Sequence, residues 1–205
     1  MTKLFNLFPT PVYKFPLAGH KKYKEKLVKP IVKKYKENPD TTFDWAVNCN
    51  TWQIDARGIN TNLDDVYDEI MKGCMEYLEE LKASGNFAIM DSWFNVHTSD
   101  MYQEVHHHLP AFISGTYYIK FDKEKDSPLT FMSSNTSFTD VARAIEVPIG
   151  MRDYVQLDVD EGDVLLFPST LRHMVIKAKV PHDNLRVTNS FNLRPFIPNQ
   201  GRMTT

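Results

Sequence analysis

The chain has 205 residues, of which 42% are hydrophobic and 24% are charged, and these ordinary values exclude a disordered chain or a fibrous repeat. Its length suits one hydrophobic core, so we expect a single domain spanning residues 1–205. The 24 Lys and Arg against 26 Asp and Glu give a net charge of −2, which argues against nucleic acid as a partner.

The cysteine pattern and the lack of a long apolar run indicate the compartment. Cys49 and Cys74 are the only cysteines, too few for a disulfide framework and not spaced as a CxxC motif. The first apolar run is broken at Pro9 and Pro11, and no stretch approaches the roughly 18 apolar residues of a membrane-spanning helix. We therefore expect a cytoplasmic protein, in the host cytoplasm if a phage encodes it, with no membrane partner.

Two segments in the first half have helical periodicity. His20–Asn38 carries apolar side chains at four-residue steps, and Leu63–Ala83 does so after Asn62, a residue type suited to the N-cap. Cys74 falls in the buried stripe of the second helix. We expect residues 1–86 to form an N-terminal strand and two supporting helices that flank the rest of the domain.

From residue 87 the pattern changes to short runs rich in β-branched and aromatic residues. These runs predict a mainly β fold with an antiparallel jelly-roll, or cupin-like, core over residues 87–198. Ser133–Met151 is a long insertion with no clear pattern. The predicted strands are Ile89–His97, Phe112–Phe121, Leu129–Met132, Tyr154–Val159, Asp163–Pro168, Met174–Ala178 and Arg186–Phe196.

Four of the seven histidines form the strongest chemical signal. On an extended chain His106 and His108 share one face, while His107 points the other way. His173 ends a buried strand, GDVLLFPSTLRH, which a jelly roll can place beside them. Glu104 lies on the same face as His106, as a partner for an imidazole or, less favourably, as a ligand itself. Three such ligands leave metal positions open, as in non-haem Fe(II) oxygenases, although a chance HHH run on a loop is the simpler alternative.

A family resemblance adds to this pattern. The segments WFNVHTSDMYQEVHHHLPAFISGTYYIKF, EGDVLLFPSTLRHMV and LRVTNSFNLRPF resemble the 2-oxoglutarate/Fe(II)-dependent oxygenases of the double-stranded β-helix fold. The opening LFPTPVYKF is similar to the N-terminal signature of a bacterial and phage-type branch. The resemblance implies Fe(II), 2-oxoglutarate as co-substrate and O2, with the metal held by His106, His108 and His173 and no catalytic residue beyond the metal centre.

The chain departs from the wider family in two places. Most members have Asp or Glu at the second ligand, where this chain has His108, and three neutral imidazoles compensate the positive charge of the metal less than two imidazoles and a carboxylate would. The proline that usually follows the second ligand is displaced by Leu109 to Pro110. We expect hydroxylation of a C–H bond in a protein side chain, an amino acid or another small metabolite, and the sequence does not select among these substrates.

The co-substrate side of the site centres on Arg186, which begins the strand-like run RVTNSFN. Its planar guanidinium can hold the distal carboxylate of 2-oxoglutarate with two hydrogen bonds, and the resemblance implies the same role with Thr188 as a helper. Tyr118 is the candidate for a further hydrogen bond to the co-substrate. Asn95 faces the same cavity or is simply a buried amide with satisfied hydrogen bonds. A surface salt bridge is the alternative for Arg186.

Two alternative functions remain as hypotheses. A cupin-like isomerase or dioxygenase would use the same histidines without 2-oxoglutarate, and a zinc-holding jelly roll would only bind. The oligomeric state is open, with a homodimer as one option. The sequence assigns no role to His20, His97 or His182. Four phenylalanines are predicted to be core residues: Phe112, Phe167, Phe191 and Phe196.

Overall fold

A computed structural model describes residues 2–3, 9–40, 51–134, 136–146 and 152–196. These ranges contain three helices: α1 (His20–Glu37), α2 (Asp64–Glu80) and α3 (Ser137–Ala144), besides a 3-10 turn at Ala56–Ile59. They also contain ten strands: β1 (Tyr13–Pro16), β2 (Trp52–Asp55), β3 (Asn86–His97), β4 (Gln103–His106), β5 (Ile113–Lys120), β6 (Leu129–Met132), β7 (Tyr154–Gln156), β8 (Asp163–Pro168), β9 (His173–Val175) and β10 (Arg186–Phe196).

The strands form two antiparallel sheets. The larger has the order β1-β8-β5-β10-β3-β2, and the smaller has the order β4-β9-β6-β7. Neighbours in each sheet are distant in sequence, so every pair closes a long loop. This arrangement is the double-stranded β-helix, or jelly roll, and it confirms the predicted fold class.

The larger sheet is buried on both faces because its central strands alternate between two cores. Tyr117 and Leu166 face α1 and α2, where they pack with Ile31 and Ile70. Tyr118 and Leu165 face the smaller sheet and pack with its side chains, including Phe131. The helices therefore cover one face of the larger sheet, and the candidate site lies on the other face, between the sheets.

Both predicted helices are present with boundaries within a few residues of the prediction. The N-cap of α2 is Leu63 rather than the predicted Asn62, which lies one residue earlier and accepts a hydrogen bond from the Asp64 backbone N–H through Oδ1 at 2.9 Å. Asp64 and Asp65 lie in the first turn of α2. These groups satisfy and complement the exposed amides of the helix N-terminus. Cys74 is fully buried in α2, as predicted, whereas Cys49 lies outside the described residues.

The sequence missed three elements. β2 and β4 have only four residues each, and α3 lies inside the predicted insertion Ser133–Met151, part of which is outside the described residues. Such short segments carry too few residues to show periodicity, so tertiary pairing decides them. Three predicted strand boundaries agree with the structure, those of β6, β8 and β10.

The prediction of four core phenylalanines is half wrong. Phe167 and Phe191 are buried, but Phe112 and Phe196 are each 44% exposed. Phe112 precedes β5 and packs on Phe87 with ring centroids 5.4 Å apart, and Phe196 ends β10 beyond the packed layer. The spacing of residues along a strand does not show where the structures that pack over that strand end.

In the described ranges of the chain, no helix combines the length and apolar character needed to cross a bilayer.

Gly115 in β5 supplies a test of the packing between strands. It lies between Leu166 of β8 and Phe191 of β10, and a Cβ atom built on it would overlap the Phe191 ring. We expect Gly115→Ala to lower the free energy of unfolding by about 1–3 kcal/mol, the usual cost of overpacking. Urea denaturation would measure it.

The matched control is Gly58→Ala, whose new Cβ would meet only the end of the flexible Ile54 side chain at 2.9 Å. Equal unfolding free energies for wild type and Gly115→Ala would contradict the tight strand packing.

Candidate functional site

Backbone pairing brings the three predicted metal ligands together. β4 pairs with β9 so that His106 lies directly opposite His173. His108 follows two residues later, and its backbone N–H donates to the Ser169 carbonyl at 2.9 Å, just beyond β8. The candidate ligand atoms of the three histidines all lie within 4.8 Å of one another.

Backbone carbonyls orient two of these rings. His106 Nδ1 lies 2.7 Å from the Glu104 carbonyl oxygen, and His173 Nδ1 lies 2.8 Å from the Leu171 carbonyl oxygen. Because a carbonyl only accepts hydrogen bonds, Nδ1 carries the proton in both rings. The unprotonated nitrogen of each ring is therefore Nε2, the atom that would bind a metal ion, and a carbonyl partner at Nδ1 is typical of histidine ligands.

The surroundings of the three histidines favour the neutral form of each imidazole. Burial lowers the pKa of His106, and burial together with the neighbouring His106 lowers the pKa of His108 to about 4. The pKa of His173, only 2% exposed, is lowered well below its usual value by burial and by the other histidines. These lowered pKa values favour the unprotonated imidazole, which is the form that binds a metal ion.

The neighbouring predicted residues take other positions. His107 is exposed, is not part of the ligand group found in the described chain, and lines the open groove described below. Glu104 contributes its backbone carbonyl to His106, while its carboxylate is not part of the ligand group found in the described chain. Three imidazole nitrogens suit Fe(II) and also other transition metals, and they leave the metal's charge uncompensated by a carboxylate.

A narrow cavity of about 10 Å³, room for about one water molecule, lies between these histidines and Arg186, so a larger ligand requires its wall side chains to move. Its walls come mainly from the inward-facing residues of β3 and β10, which alternate along paired strands. The polar residues that line it, besides the three histidines, are Asn95, His97, Gln103, Thr116, Arg186, Thr188 and Ser190.

Arg186 is a buried cation, 3% exposed, with spare hydrogen-bonding capacity. Its Nη1 lies 3.1 Å from His97 Nδ1, and its guanidinium carbon lies 5.6 Å from the centre of the Tyr118 ring. Its Nε has no hydrogen-bond partner among the described residues. A buried guanidinium with an unused donor fits an incoming carboxylate, so the site suits a 2-oxo diacid as well as a metal.

Thr188 and Asn95 line the same cavity, but they act differently. Asn95 Nδ2 donates to Thr188 Oγ1 at 3.3 Å and to Ser190 Oγ at 3.0 Å, and Asn95 Oδ1 accepts from Gln53 at 2.8 Å. Asn95 therefore has its amide engaged by side chains and orients the two hydroxyl groups. Thr188 accepts that bond and keeps its own proton to donate to a ligand.

Tyr118, the candidate for a further hydrogen bond to the co-substrate, lies beneath Arg186. It is fully buried beneath Arg186 and is not among the residues that line the cavity. Its hydroxyl accepts a hydrogen bond from the Leu129 backbone N–H at 3.1 Å, which leaves its proton to donate. The alternation of side chains along β5 correctly predicts the face of the sheet on which Tyr118 lies, but it does not predict how deeply the side chain is buried.

The sequence missed His97. It lies opposite Arg186 in the β3–β10 register and shares a strand face with Trp93 and Asn95, and this alternation was the available signal. His20 instead bonds to Tyr117 on the helical side of the sheet, and His182 Nε2 lies 3.1 Å from Asp126 Oδ1.

On the other side of the histidines lies an open groove of about 1050 Å³. The groove and the narrow cavity share Trp93, His106 and His108 as wall residues. Its remaining walls come from β2 and the 3-10 turn, the start of α2 and the segment before it, the first half of β3, the end of β10, and residues 107 and 109 beside the histidines. They include an Arg194–Asp91 ion pair at 2.7 Å. The metal position thus lies between a narrow polar cavity and a wide, open groove.

Comparison with known proteins is consistent with this geometry. A sequence model of the family described as "Putative 2OG-Fe(II) oxygenase" matches residues 91–192, the range that holds all three histidines and Arg186. No curated protein matches the chain in sequence.

Solved structures share the fold at low sequence identity. A prolyl-4-hydroxylase from Pseudomonas putida aligns with a TM-score of 0.61 and 8% identity over 91% of this chain and 94% of that one. The viral collagen prolyl hydroxylase of Paramecium bursaria Chlorella virus-1, in complex with 2-oxoglutarate, aligns at 0.56 and 14% over 91% and 96%. HygX from Streptomyces hygroscopicus, with nickel and 2-oxoglutarate bound, aligns at 0.56 and 13% over 91% and 83%.

Removing any one of the three histidines tests the ligand set. We expect His106→Ala, His108→Ala and His173→Ala each to weaken Fe(II) or Co(II) binding by about 100-fold or more. Mutating a residue that only hydrogen-bonds to a metal ligand already lowers metal affinity by about 10- to 100-fold. Metal titration followed by absorbance or calorimetry would measure the loss, with circular dichroism to verify folding.

The adjacent His107→Ala is the matched control, since His107 is exposed and outside the cluster. A variant that keeps wild-type metal affinity would remove its residue from the ligand set.

Proposed function

The chain belongs to the 2-oxoglutarate/Fe(II)-dependent oxygenase family, and we propose that His106, His108 and His173 hold its iron while Arg186 anchors the co-substrate. The protein is a 2-oxoglutarate-dependent oxidoreductase that uses Fe(II), 2-oxoglutarate and O2. When bound, the iron supplies the activation of O2 that is coupled to decarboxylation of 2-oxoglutarate to succinate.

One observation carries the residue assignment. Three neutral imidazoles and a buried guanidinium with an unpaired donor line the same narrow cavity. The 2-oxo acid end of 2-oxoglutarate would lie at the histidines, and its distal carboxylate would lie at Arg186. The geometry supports this direction because the cavity has a metal-binding end and a cationic end.

The other polar residues would complete the co-substrate site. Thr188 keeps a hydroxyl proton to donate to the distal carboxylate, and Asn95 holds Thr188 in place. Tyr118 lies behind Arg186, where its ring supports the guanidinium. We propose that its hydroxyl, which accepts from the Leu129 backbone N–H, donates its proton to a carboxylate oxygen bound at Arg186. These roles make Arg186, Thr188 and Tyr118 direct contacts, with Asn95 as an orienting residue.

Arg186 also separates this function from the alternatives. A cupin-like metalloprotein without co-substrate, or a zinc-holding jelly roll, needs the three histidines but gains nothing from burying an arginine without a carboxylate partner. Burying a charge is costly unless it is paired, so an unpaired guanidinium favours a site for an anionic ligand.

The open groove is the proposed entrance for the substrate, whose C–H bond would be hydroxylated at the metal position. Its volume of about 1050 Å³ lies at the upper end of ordinary small-molecule pockets, and a single amino acid would fill a small part of it. A protein side chain on a peptide segment, or a large metabolite, therefore fits the groove better than a free amino acid. We also propose that the protein functions in a reducing compartment such as the cytoplasm, where its iron would stay in the Fe(II) state.

Substitution of Arg186 tests the co-substrate anchor. Arg186→Leu should leave metal binding intact and weaken 2-oxoglutarate binding by about 3–5 kcal/mol, the scale for breaking a buried charge pair. Arg186→Lys should recover part of the affinity, since an ammonium cannot make the two-pronged contact. Tyr118→Phe should cost less, about 1.5–3 kcal/mol for one hydrogen bond to a charged group.

Anaerobic calorimetric titration of 2-oxoglutarate into protein loaded with Mn(II) would give these values. Arg194→Leu, which removes an arginine from the groove rather than the cavity, is the control and should bind like wild type. Unchanged affinity in Arg186→Leu would rule out the anchor.

Succinate formation tests the activity and the substrate class together. We expect Fe(II)-loaded protein to form succinate slowly from 2-oxoglutarate and O2 alone, and faster with peptide mixtures or large metabolites than with free amino acids. The His173→Ala variant gives the background rate of succinate formation. Succinate at that background level under every condition would contradict the proposed metal site, and stimulation by free amino acids only would contradict the proposed substrate size.

A further inference from the structure

We infer that His97 is a positioning residue for the co-substrate: it orients the Arg186 guanidinium as a neutral hydrogen-bond acceptor and so leaves the full positive charge for the ligand. The inference rests on the proposed role of Arg186 and goes beyond it, because it concerns how the arginine is kept available.

The hydrogen-bond chain through His97 has a direction that is fixed at both ends. Thr51 Oγ1 lies 2.8 Å from the Tyr102 carbonyl oxygen and 2.9 Å from His97 Nε2, and His97 Nδ1 lies 3.1 Å from Arg186 Nη1. A carbonyl only accepts and a guanidinium only donates. Thr51 therefore gives its single proton to Tyr102 and accepts one from Nε2 of His97, so the Nδ1 lone pair accepts from Arg186.

This chain requires a neutral His97, because an imidazolium has no lone pair for Arg186. The environment agrees with that state. His97 is 3% exposed, and burial together with the charge of Arg186 lowers its pKa well below the usual value. The register of β3 against β10 places the two residues directly opposite each other, so the backbone fixes their relative position.

A neutral acceptor differs from the usual partner of a buried arginine, which is a carboxylate. In the described part of the chain no carboxylate forms an ion pair with Arg186, whose side-chain contacts are His97 and Tyr118. Burial lowers the pKa of Arg186, and the Asp126 carboxylate acts against that shift from beyond ion-pair distance. A carboxylate in place of His97 would orient the guanidinium equally well, but it would neutralise the charge and compete with the ligand. The neutral imidazole orients the Arg186 guanidinium without competing with the ligand for its positive charge.

Three substitutions separate orientation from charge. His97→Gln can still accept from Arg186 and donate to Thr51, so 2-oxoglutarate affinity should stay within a few-fold of wild type. His97→Leu removes the acceptor and should weaken binding about tenfold or more, as expected for a hydrogen bond to a charged group. His97→Glu supplies a competing anion and should weaken binding about 100-fold or more.

The measurement compares two ligands on the full-length, Mn(II)-loaded protein under anaerobic conditions. 2-Oxoglutarate needs Arg186, whereas pyruvate has the same 2-oxo acid end and no distal carboxylate. We expect the ratio of the two affinities to fall in His97→Leu and His97→Glu while pyruvate affinity stays constant. A merely structural role would weaken both ligands alike. His20→Gln is the matched histidine control, because His20 lies on the helical side of the sheet.

The outcomes distinguish this inference from the proposed function. If wild-type protein does not bind 2-oxoglutarate, the co-substrate site itself is wrong. If Arg186→Leu loses 2-oxoglutarate but His97→Leu and His97→Glu keep the wild-type ratio, only the role of His97 is overturned. Equal loss of both ligands in His97→Leu, without rescue by glutamine, would also overturn it.

Discussion

The two-residue alternation of β10, a long strand in the middle of the larger sheet, is the constraint on which the rest of the structure depends. β10 pairs with β3 on one side and with β5 on the other. Val187, Phe191 and Leu193 face the helices and enter the main core. Arg186, Thr188 and Ser190 face the other way and line the narrow cavity. The same strand therefore carries stability on one face and chemistry on the other.

This division explains why a polar cavity can persist inside a small domain. Burying Arg186, Asn95 and His97 costs free energy that hydrogen bonds only partly restore. The continuous apolar layer on the opposite face supplies the stability that offsets this cost. Strand pairing on both sides also holds the polar residues in fixed positions, which reduces the reorganisation needed when a charged ligand binds.

The electrostatic design of the site uses neutral groups around fixed charges. All three candidate ligands and His97 are imidazoles whose pKa values burial lowers. The only buried cation at the cavity, among the described residues, is Arg186. A metal ion would add further positive charge with no carboxylate among its histidine ligands. A dianionic co-substrate would then bring the negative charge that both ends of the cavity lack.

The sequence by itself determined the jelly roll, the supporting helices and three of the four histidines that line the cavity, because alternation and helical periodicity act locally. It placed Arg186 and Thr188 on one face for the same reason. Only the tertiary structure decided the rest. Short strands such as β4 exist because a distant partner pairs with them, and Tyr118 lies beneath Arg186 because the smaller sheet covers β5. His97 acquires a partner only through the register of β3 against β10, and register is set by packing between distant segments rather than by the residues themselves.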